Sequence, residues 1–330
     1  MIDIYNTDCR NIANYAKPNS IQSVITSPPY YGQRDYGSDH LIWQEDKGCS
    51  HIWNDINPKS PFNVKCKSCG AWKGALGLEH HPEQYFTNLI EIFDCIRPCL
   101  KPDGTLWVNI GEGYYSGKMP GGSRMIDEMK KQDKYEDDWA KLDKKYKDEK
   151  HKARKFGVSP NHFTIDGYKS KDVMGIPWRF AIKMQENGWY HRDTIIWVKS
   201  YLSESNEIVG SCLPTPHNDR CGVSYEYIFL FAKEKRYYFN TKGIKTTTDT
   251  PARNTWYVPL ERKRKVKHYA TYPERLVENC LLLSTQPGDL VLDPFMGSGT
   301  TGLVCKNHSR RCIGFEVMKK YIDIAKERIN

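Results

Sequence analysis

Leu290-Val291-Leu292-Asp293-Pro294-Phe295-Met296-Gly297-Ser298-Gly299-Thr300-Thr301 is the stretch that decides the fold. Leu290 to Asp293 is a short apolar run of the kind that buries as a central strand, and the proline after it ends the ladder. The Gly-Ser-Gly turn then hands the chain to a helix over Thr300 to Lys306. Glycines let a backbone pass close to a ligand, and a helix start offers free N–H groups at the carboxyl edge of a sheet. A phosphate loop would need Gly-Lys-Ser or Gly-Lys-Thr here, and neither is present; the pattern Gly-x-Gly-x-x-Gly is also poorly matched. Arg311 to Glu316 predicts the next strand and Val317 to Ile329 the closing helix. Glu316 ends that strand, where an acidic side chain can accept both hydroxyls of a ribose; a carboxylate capping the next helix would occupy the same place.

The same alternation runs upstream. Ile21 to Thr26 reads as a buried strand that stops at Pro28-Pro29. Pro82 to Leu100 reads as an amphipathic helix, with Leu89, Ile92, Phe93 and Ile96 at helical spacing. Lys101-Pro102-Asp103-Gly104 predicts a turn and Thr105 to Ile110 a second strand. Pro177 to Asn187 predicts a helix with proline in its first turn, ended by Gly188. Asp193 to Val198 predicts a strand, Tyr225 to Ala232 with Arg236 to Asn240 a hairpin, and Tyr272 to Thr285 a helix. Strands alternating with helices of this length imply an α/β fold with an open, mostly parallel sheet covered on both faces.

At 330 residues the chain can hold one large α/β domain with insertions, or two small domains. A formal net charge of +9 suits an anionic partner without demanding one. The start, Met1-Ile2-Asp3-Ile4-Tyr5-Asn6, has neither a basic nor an apolar segment of a signal peptide. No apolar run approaches the roughly 18 residues needed to cross a membrane. The expectation is a cytoplasmic protein, and its eleven cysteines then argue for reduced thiols or metal ligation rather than disulfides.

Thr26-Ser27-Pro28-Pro29-Tyr30 near the start, followed by the 292–301 motif near the end, resembles the amino-methyltransferases of DNA. The order, catalytic motif first, is that of their β class. The resemblance implies a Rossmann-like S-adenosylmethionine (SAM) methyltransferase fold, with a mixed, mostly parallel sheet, circularly permuted so that catalysis precedes cofactor binding. It implies catalytic roles for Ser27, Pro28, Pro29 and Tyr30. It implies cofactor contacts from Asp293, Pro294, Phe295, Gly297, Ser298, Gly299, Thr300 and Glu316, and from Asp8 within Asn6-Thr7-Asp8-Cys9, which would reach the adenine. His268-Tyr269-Ala270-Thr271-Tyr272-Pro273-Glu274 resembles the segment packed near the methionine moiety.

The chemistry fits those residue types. The exocyclic amine of a base is a poor nucleophile because its lone pair is delocalised into the ring. Acceptors aimed at its N–H groups free that lone pair, and the Ser27 hydroxyl and the Pro28 carbonyl supply two. Tyr30 offers a face on which a flipped base stacks, offsetting a flipping cost of a few kcal/mol. Ser-Pro-Pro-Tyr in this family usually goes with N4 of cytosine and Asp-Pro-Pro-Tyr with N6 of adenine. Cytosine N4 is therefore expected, with adenine N6 as the alternative. RNA or protein amine methylation is a more distant rival, because Asn-Pro-Pro-Tyr enzymes usually carry the SAM loop first. A catalytically dead DNA-binding protein is the non-enzyme rival, and two intact motifs speak against it. Trp107-Val108-Asn109-Ile110-Gly111-Glu112 departs from the family's pattern, in which Asp commonly follows the glycine.

Cys49-x-His51, fourteen residues, then Cys66-x2-Cys69 is the ligand pattern of a closed structural zinc site, although four residues of a cysteine-rich chain could also be ordinary free side chains. The expected organisation is a catalytic half over 1–112 with a zinc-knuckle insertion at about 45–75, a charged insertion over 113–171, and the rest of the methyltransferase domain over 172–330. The insertion is poor in large aliphatic residues, so it reads either as a solvated, partly disordered segment or as a DNA-contacting one. Within the last part, loops over about 200–267 are expected to contact DNA as a target-recognition insertion, and 268–330 to bind SAM. The run Arg262-Lys263-Arg264-Lys265-Val266-Lys267-His268 is expected to meet phosphates. Double-stranded DNA is the implied partner, with a cognate restriction endonuclease as a second.

Overall fold

The computed structural model describes residues 1–32, 41–54, 64–115, 165–205, 207–210, 219–244, 250–260 and 272–330. The strands are β1 (Ile2–Tyr5), β2 (Ile21–Thr26), β3 (Leu41–Trp43), β4 (Val64–Lys65), β5 (Trp72–Gly74), β6 (Leu100–Ile110), β7 (Tyr190–Val198), β8 (Ser200–Leu202), β9 (Ile208–Gly210), β10 (Tyr225–Ala232), β11 (Thr255–Tyr257), β12 (Leu290–Asp293) and β13 (Arg311–Phe315). The helices are α1 (Pro82–Ile96), α2 (Ile176–Glu186), α3 (Glu274–Ser284), α4 (Thr300–Asn307) and α5 (Lys319–Ile329). The chain divides into two compact units. Met1–Pro28, Ile90–Gly111 and Pro177–Asn330 form the first; Pro29–Leu89 and Glu112–Ile176 form the second.

The first unit is built on an eight-stranded sheet in the order β1-β13-β12-β2-β6-β10-β7-β11. Neighbours from β1 to β6 are parallel, β10 runs antiparallel to β6 and β7, and β11 is parallel to β7. All six residues of β2 are buried, as a central parallel strand covered on both faces must be. On one face α3 lies over β2 and β6, with Leu276, Val277 and Leu281 against Ile25 and Trp107. On the other, Phe93 of α1 meets Phe180 of α2, and Phe180 meets Phe231 of β10, at ring separations of 6.0 Å each. At the β1 edge, a Cβ on Gly302 of α4 would lie 2.8 Å from Ile329 Cδ1 and 3.1 Å from Ile2 Cγ2, so α5 and β1 close on the same spot.

Three expectations needed correction. The helix from Pro82 ends at Ile96, and a 3-10 turn over Arg97–Cys99 carries the chain to Leu100; Pro98 has no N–H to continue an α-helix. The turn expected at Lys101–Gly104 lies inside β6, whose pairing with β2 jumps from Ile21↔Leu100 to Ser23↔Thr105, so the extra residues form an irregularity rather than a break. Arg236–Asn240 is not a hairpin strand. Both edges of β10 are already taken by β6 and β7, which leaves no backbone for a third partner. The segment instead donates Tyr238 N to Asp103 O and Asn240 N to Leu283 O.

The second unit holds the antiparallel sheet β3-β5-β4. Its buried side chains include Trp43 and Trp72, with ring centroids 6.4 Å apart, Tyr31, Leu76 and Leu78, and Tyr85, Phe86 and Leu89 from the first turns of α1. Of the charged insertion, residues 116–164 lie outside the described residues. Its ends meet in this unit, where Tyr115 N donates to Asp172 O and Met174 N to Gly113 O. No helix among the described residues is long and apolar enough to cross a membrane.

Candidate active site and metal centre

β2 and β12 are adjacent and parallel, with Val291 opposite Ser23 and Leu292 opposite Val24, so the two motifs leave the sheet at one edge. Thr26 Oγ1 donates to Asp293 Oδ1 at 2.7 Å, bridging 267 positions of sequence. The same carboxylate accepts from Phe295 N at 3.0 Å, Thr301 Oγ1 at 2.6 Å and Tyr272 OH at 3.2 Å. Asp293 is buried, which pushes its carboxyl above the ordinary range against the pull of those donors. A carboxylate has about four acceptor positions, and four protein donors occupy them. Asp293 therefore shapes the loop from beneath.

The loop itself is held on three sides. Met296 N donates to Phe315 O at 2.9 Å. Gly299 has φ +81°, and a Cβ there would lie 2.8 Å from the Ala325 Cβ, so only glycine lets α4 begin this close to α5. Glu316 accepts from Gly297 N at 2.9 Å and Met318 N at 2.8 Å, one bond to each oxygen, which leaves further lone pairs for a ligand. Burial raises its carboxyl too. Asn6 Nδ2 donates to the carbonyls of Glu316 and Val317, both at 2.9 Å, and anchors the strand end. Asp8 caps the 3-10 helix Cys9–Asn14 and binds Arg10 at 2.6 Å, while Arg10 reaches Glu91 at 2.7 Å.

Two further contributors complete the loop's surroundings, Arg328, which no motif marks, and Tyr272, which lies in the segment expected near the methionine moiety. Arg328, near the end of α5, donates to Thr300 Oγ1 at 2.8 Å and reaches Ser298 O and Oγ at 3.4 Å each, and its other nitrogen pairs with Glu274 at 2.7 Å. In sequence it is one more basic residue in a last helical turn. Tyr272 bonds Asp293 and Thr301, and lines a recess with Thr26, Asn109, Leu276 and Cys280.

Ser27 Oγ donates to Asn109 Oδ1 at 3.4 Å. Asn109 Nδ2 in turn donates to Glu226 Oε2 at 3.2 Å and Tyr227 O at 3.0 Å, and Glu226 pairs with Lys199 at 2.8 Å. This polar chain crosses β6 and β10 directly behind the serine. In the second unit, Tyr85 OH donates to Pro29 O at 2.8 Å. Gly77 has φ +90°, and a Cβ there would lie 2.9 Å from Tyr30 O; its carbonyl accepts from Gly32 N at 2.8 Å. That tight turn is set by Glu79, a fully buried carboxylate accepting from Gly77 N at 2.8 Å and Asn88 Nδ2 at 2.9 Å. Burial pushes the Glu79 carboxyl up to about 8. Glu112, which stands where the family has Asp, accepts from Gly113 N at 2.9 Å and from Ile176 N at 3.1 Å, so it caps the start of α2.

Cys49, His51, Cys66 and Cys69 come together with all four ligand atoms within 4.8 Å of one another. Cys49 Sγ lies 3.7 Å from Cys66 Sγ, and Cys69 Sγ 3.4 Å from His51 Nδ1. With Zn–S near 2.3 Å and Zn–N near 2.05 Å, the edges of a tetrahedron are about 3.8 Å for S···S and about 3.6 Å for S···N. A disulfide would bring sulfurs to about 2.05 Å. His51 Nε2 lies 3.3 Å from Glu45 Oε1, a partner that orients the ring, and the ring stacks on Trp53 with centroids 5.0 Å apart. Three thiols and one imidazole with these separations fit zinc. The basic run Arg262–Lys267 and residues 268–271 lie outside the described residues.

Two outcomes are expected. Arg328→Ala should lower unfolding free energy by about 1.5–3 kcal/mol, the range for hydrogen bonds to a charged group, measured by urea titration. Glu79 takes up a proton on folding between its ordinary 4.5 and about 8. Its contribution is thus full at acid pH and lost as pH rises through about 8. Urea unfolding from pH 5 to 8.5 should show that decline, and Glu79→Gln should flatten it.

The model of the N6/N4 DNA methylase family matches residues 21–327. The type II methyltransferase M.SmaI of Serratia marcescens is 34% identical over 328 residues, covering 98% of this chain and 88% of that protein. M.Cfr9I of Citrobacter freundii, also a type II methyltransferase, is 33% identical over 330 residues, covering 99% and 87%. Among solved structures, the cytosine-N4-specific PvuII DNA methyltransferase is similar with a TM-score of 0.61 at 18% identity, over 100% of this chain and 86% of that one. The M1.HpyAVI–SAM complex follows with a TM-score of 0.51 at 20% identity over the full length of both. The two joined motifs, the permuted sheet that carries them and these matches make one conclusion: the chain belongs to the N6/N4 DNA methylase family.

Proposed function

We propose that this chain is a site-specific methyltransferase of duplex DNA that moves the methyl group of SAM to N4 of a cytosine turned out of the helix. The observation that carries the reading is the Thr26–Asp293 bond, which holds a Ser-Pro-Pro-Tyr strand end against a SAM-type loop. SAM supplies a methyl group made electrophilic by its sulfonium. Glu316, with acceptor capacity left at the strand end, takes the ribose hydroxyls; Gly297 to Thr300 form the backbone cradle with Pro294 and Phe295 at its lip. Asp8 serves the adenine side, and Tyr272, lining the recess with Thr26, borders the methionine end.

Ser27 and Pro28 hold the amine. The Ser27 proton is directed to Asn109, so toward the base the hydroxyl acts as an acceptor. The Pro28 carbonyl is the second acceptor, since the Pro29 carbonyl is engaged by Tyr85. Tyr30 stacks the flipped ring, on a backbone held by the Gly77 turn. Zinc in the Cys49, His51, Cys66 and Cys69 site is structural, because methyl transfer from a sulfonium needs no metal-activated nucleophile. The charged insertion over 113–171 and the segment at about 200–267 serve the DNA, and the type II relatives favour a cytoplasmic enzyme with a cognate restriction endonuclease.

Ser27→Ala should lower kcat about a hundredfold or more, the scale for removing one aligned hydrogen-bonding group, while the Kd for SAM stays near wild type. An equal loss of SAM affinity would refute that assignment. Mass spectrometry of nucleosides from DNA of an expressing host should show N4-methylcytosine; N6-methyladenine instead would make the enzyme an adenine methylase of the same fold. Purified chain should carry about one zinc. Cys66→Ser with Cys69→Ser should lose it and lower Tm, and metal analysis of chelator-free wild type showing none would remove the metal.

A further inference from the structure

Beside the metal ligands, the chain forms a short antiparallel ribbon. Trp53 pairs with Cys66, Asn54 N donates to Lys65 O at 2.9 Å, and Lys67 N donates to Ile52 O at 2.7 Å. Successive residues of a strand point to opposite faces. Trp53 and the ligand Cys66 therefore share one side, and Ile52, Lys65 and Lys67 share the other. Trp72, opposite Lys65 on β5, is buried, so the free surface lies over 52–54 and 65–67. There Ile52 is 59% exposed, and Lys65 and Lys67 are exposed with no ion pair among the described residues.

The described acidic groups near the ribbon gather on the ligand side, which also carries Lys73, 5.8 Å from the Trp53 ring centroid. Acidic Glu45 and Asp46 lie on the ligand loop, Glu45 against His51 and Asp46 accepting from Gly48 N. Three thiolates with one divalent ion add a net negative charge on that side. The lysine side is the one an anion meets. Lysines at i and i+2 lie about 6.7 Å apart along a strand, close enough to engage neighbouring phosphates. β5 then runs from the ribbon's sheet into Gly77, whose carbonyl holds Gly32 beside Tyr30. The ribbon and the Tyr30 backbone thus belong to the same compact unit.

We propose that the metal-stapled ribbon is a DNA-holding element, with Lys65 and Lys67 on the phosphate backbone of the duplex and Ile52 beside them. The proposal rests on duplex DNA as the substrate. It would give a bound metal a purpose, since strands of three, two and three residues hold little shape by pairing alone.

The test is Lys65→Ala with Lys67→Ala, assayed by fluorescence anisotropy on a labelled mixed-sequence duplex across a salt series and by methyl transfer to genomic DNA. Zinc content, Tm and the Kd for SAM should match wild type, because both side chains are exposed. The slope of log K against log salt should fall by about one per lysine. The KM for DNA should rise with kcat unchanged, and Lys65→Arg with Lys67→Arg should restore both. An unchanged slope and KM in zinc-bearing variant would overturn the proposal and leave the ribbon a structural staple. Failure of the wild type to methylate any DNA would instead refute the function proposed above, since the slope is read from binding alone.

Discussion

The hydrogen bond from the Thr26 hydroxyl to the buried Asp293 carboxylate joins two segments that the chain separates by most of its length. Its setting makes it strong. A bond to a carboxylate contributes about 1.5–3 kcal/mol net, and an acceptor left unpaired in the interior costs more than that. Asp293 escapes the cost by gathering donors from four places: the end of β2 at Thr26, its own loop at Phe295, the start of α4 at Thr301, and Tyr272. Burial of that carboxylate and closure of the loop are thus one event. The glycines, Glu316 and Arg328 refine a loop whose position Asp293 has set.

The sheet explains why such a bond forms at all. Parallel neighbours expose their carboxyl ends on the same edge, so strands adjacent in the sheet deliver their following loops to one place regardless of sequence distance. β2 and β12 are such neighbours. The antiparallel β10 alters the pattern usefully. It brings Glu226 and the Tyr227 carbonyl up beside Asn109, and Asn109 reaches Ser27.

How much of this was legible beforehand follows from the range of the interactions. Leu290–Asp293, Ile21–Thr26 and the Gly-Ser-Gly turn announce themselves because their signals are local: apolar runs, prolines, glycines. That Cys49, His51, Cys66 and Cys69 come together was legible for the same reason, since their spacing is short and their residue types are rare. Arg328, Asn109 and Glu79 were not, because each matters through a partner elsewhere in the sequence, and an arginine, an asparagine or a glutamate carries no mark of burial. The expected hairpin at Arg236–Asn240 failed on the same ground. Its residues favour a strand, but β10 has no unpaired edge to offer them, which only the assembled sheet reveals. The irregular β6 shows the converse, a turn-like sequence absorbed within a strand because parallel pairing on either side outweighs it.

Ile2 of β1 and Ile329 of α5 converge on Gly302, so the beginning and end of the described fold are neighbours at one edge of the sheet. A short connection could join them there without disturbing any strand. A gene opened at another loop of such a closed circuit would encode the same sheet, the same strand neighbours and the same meeting of hydroxyl and carboxylate, with the cofactor strand read before the catalytic one. Motif order is then a property of where the message starts, and the contact between Thr26 and Asp293 is indifferent to it.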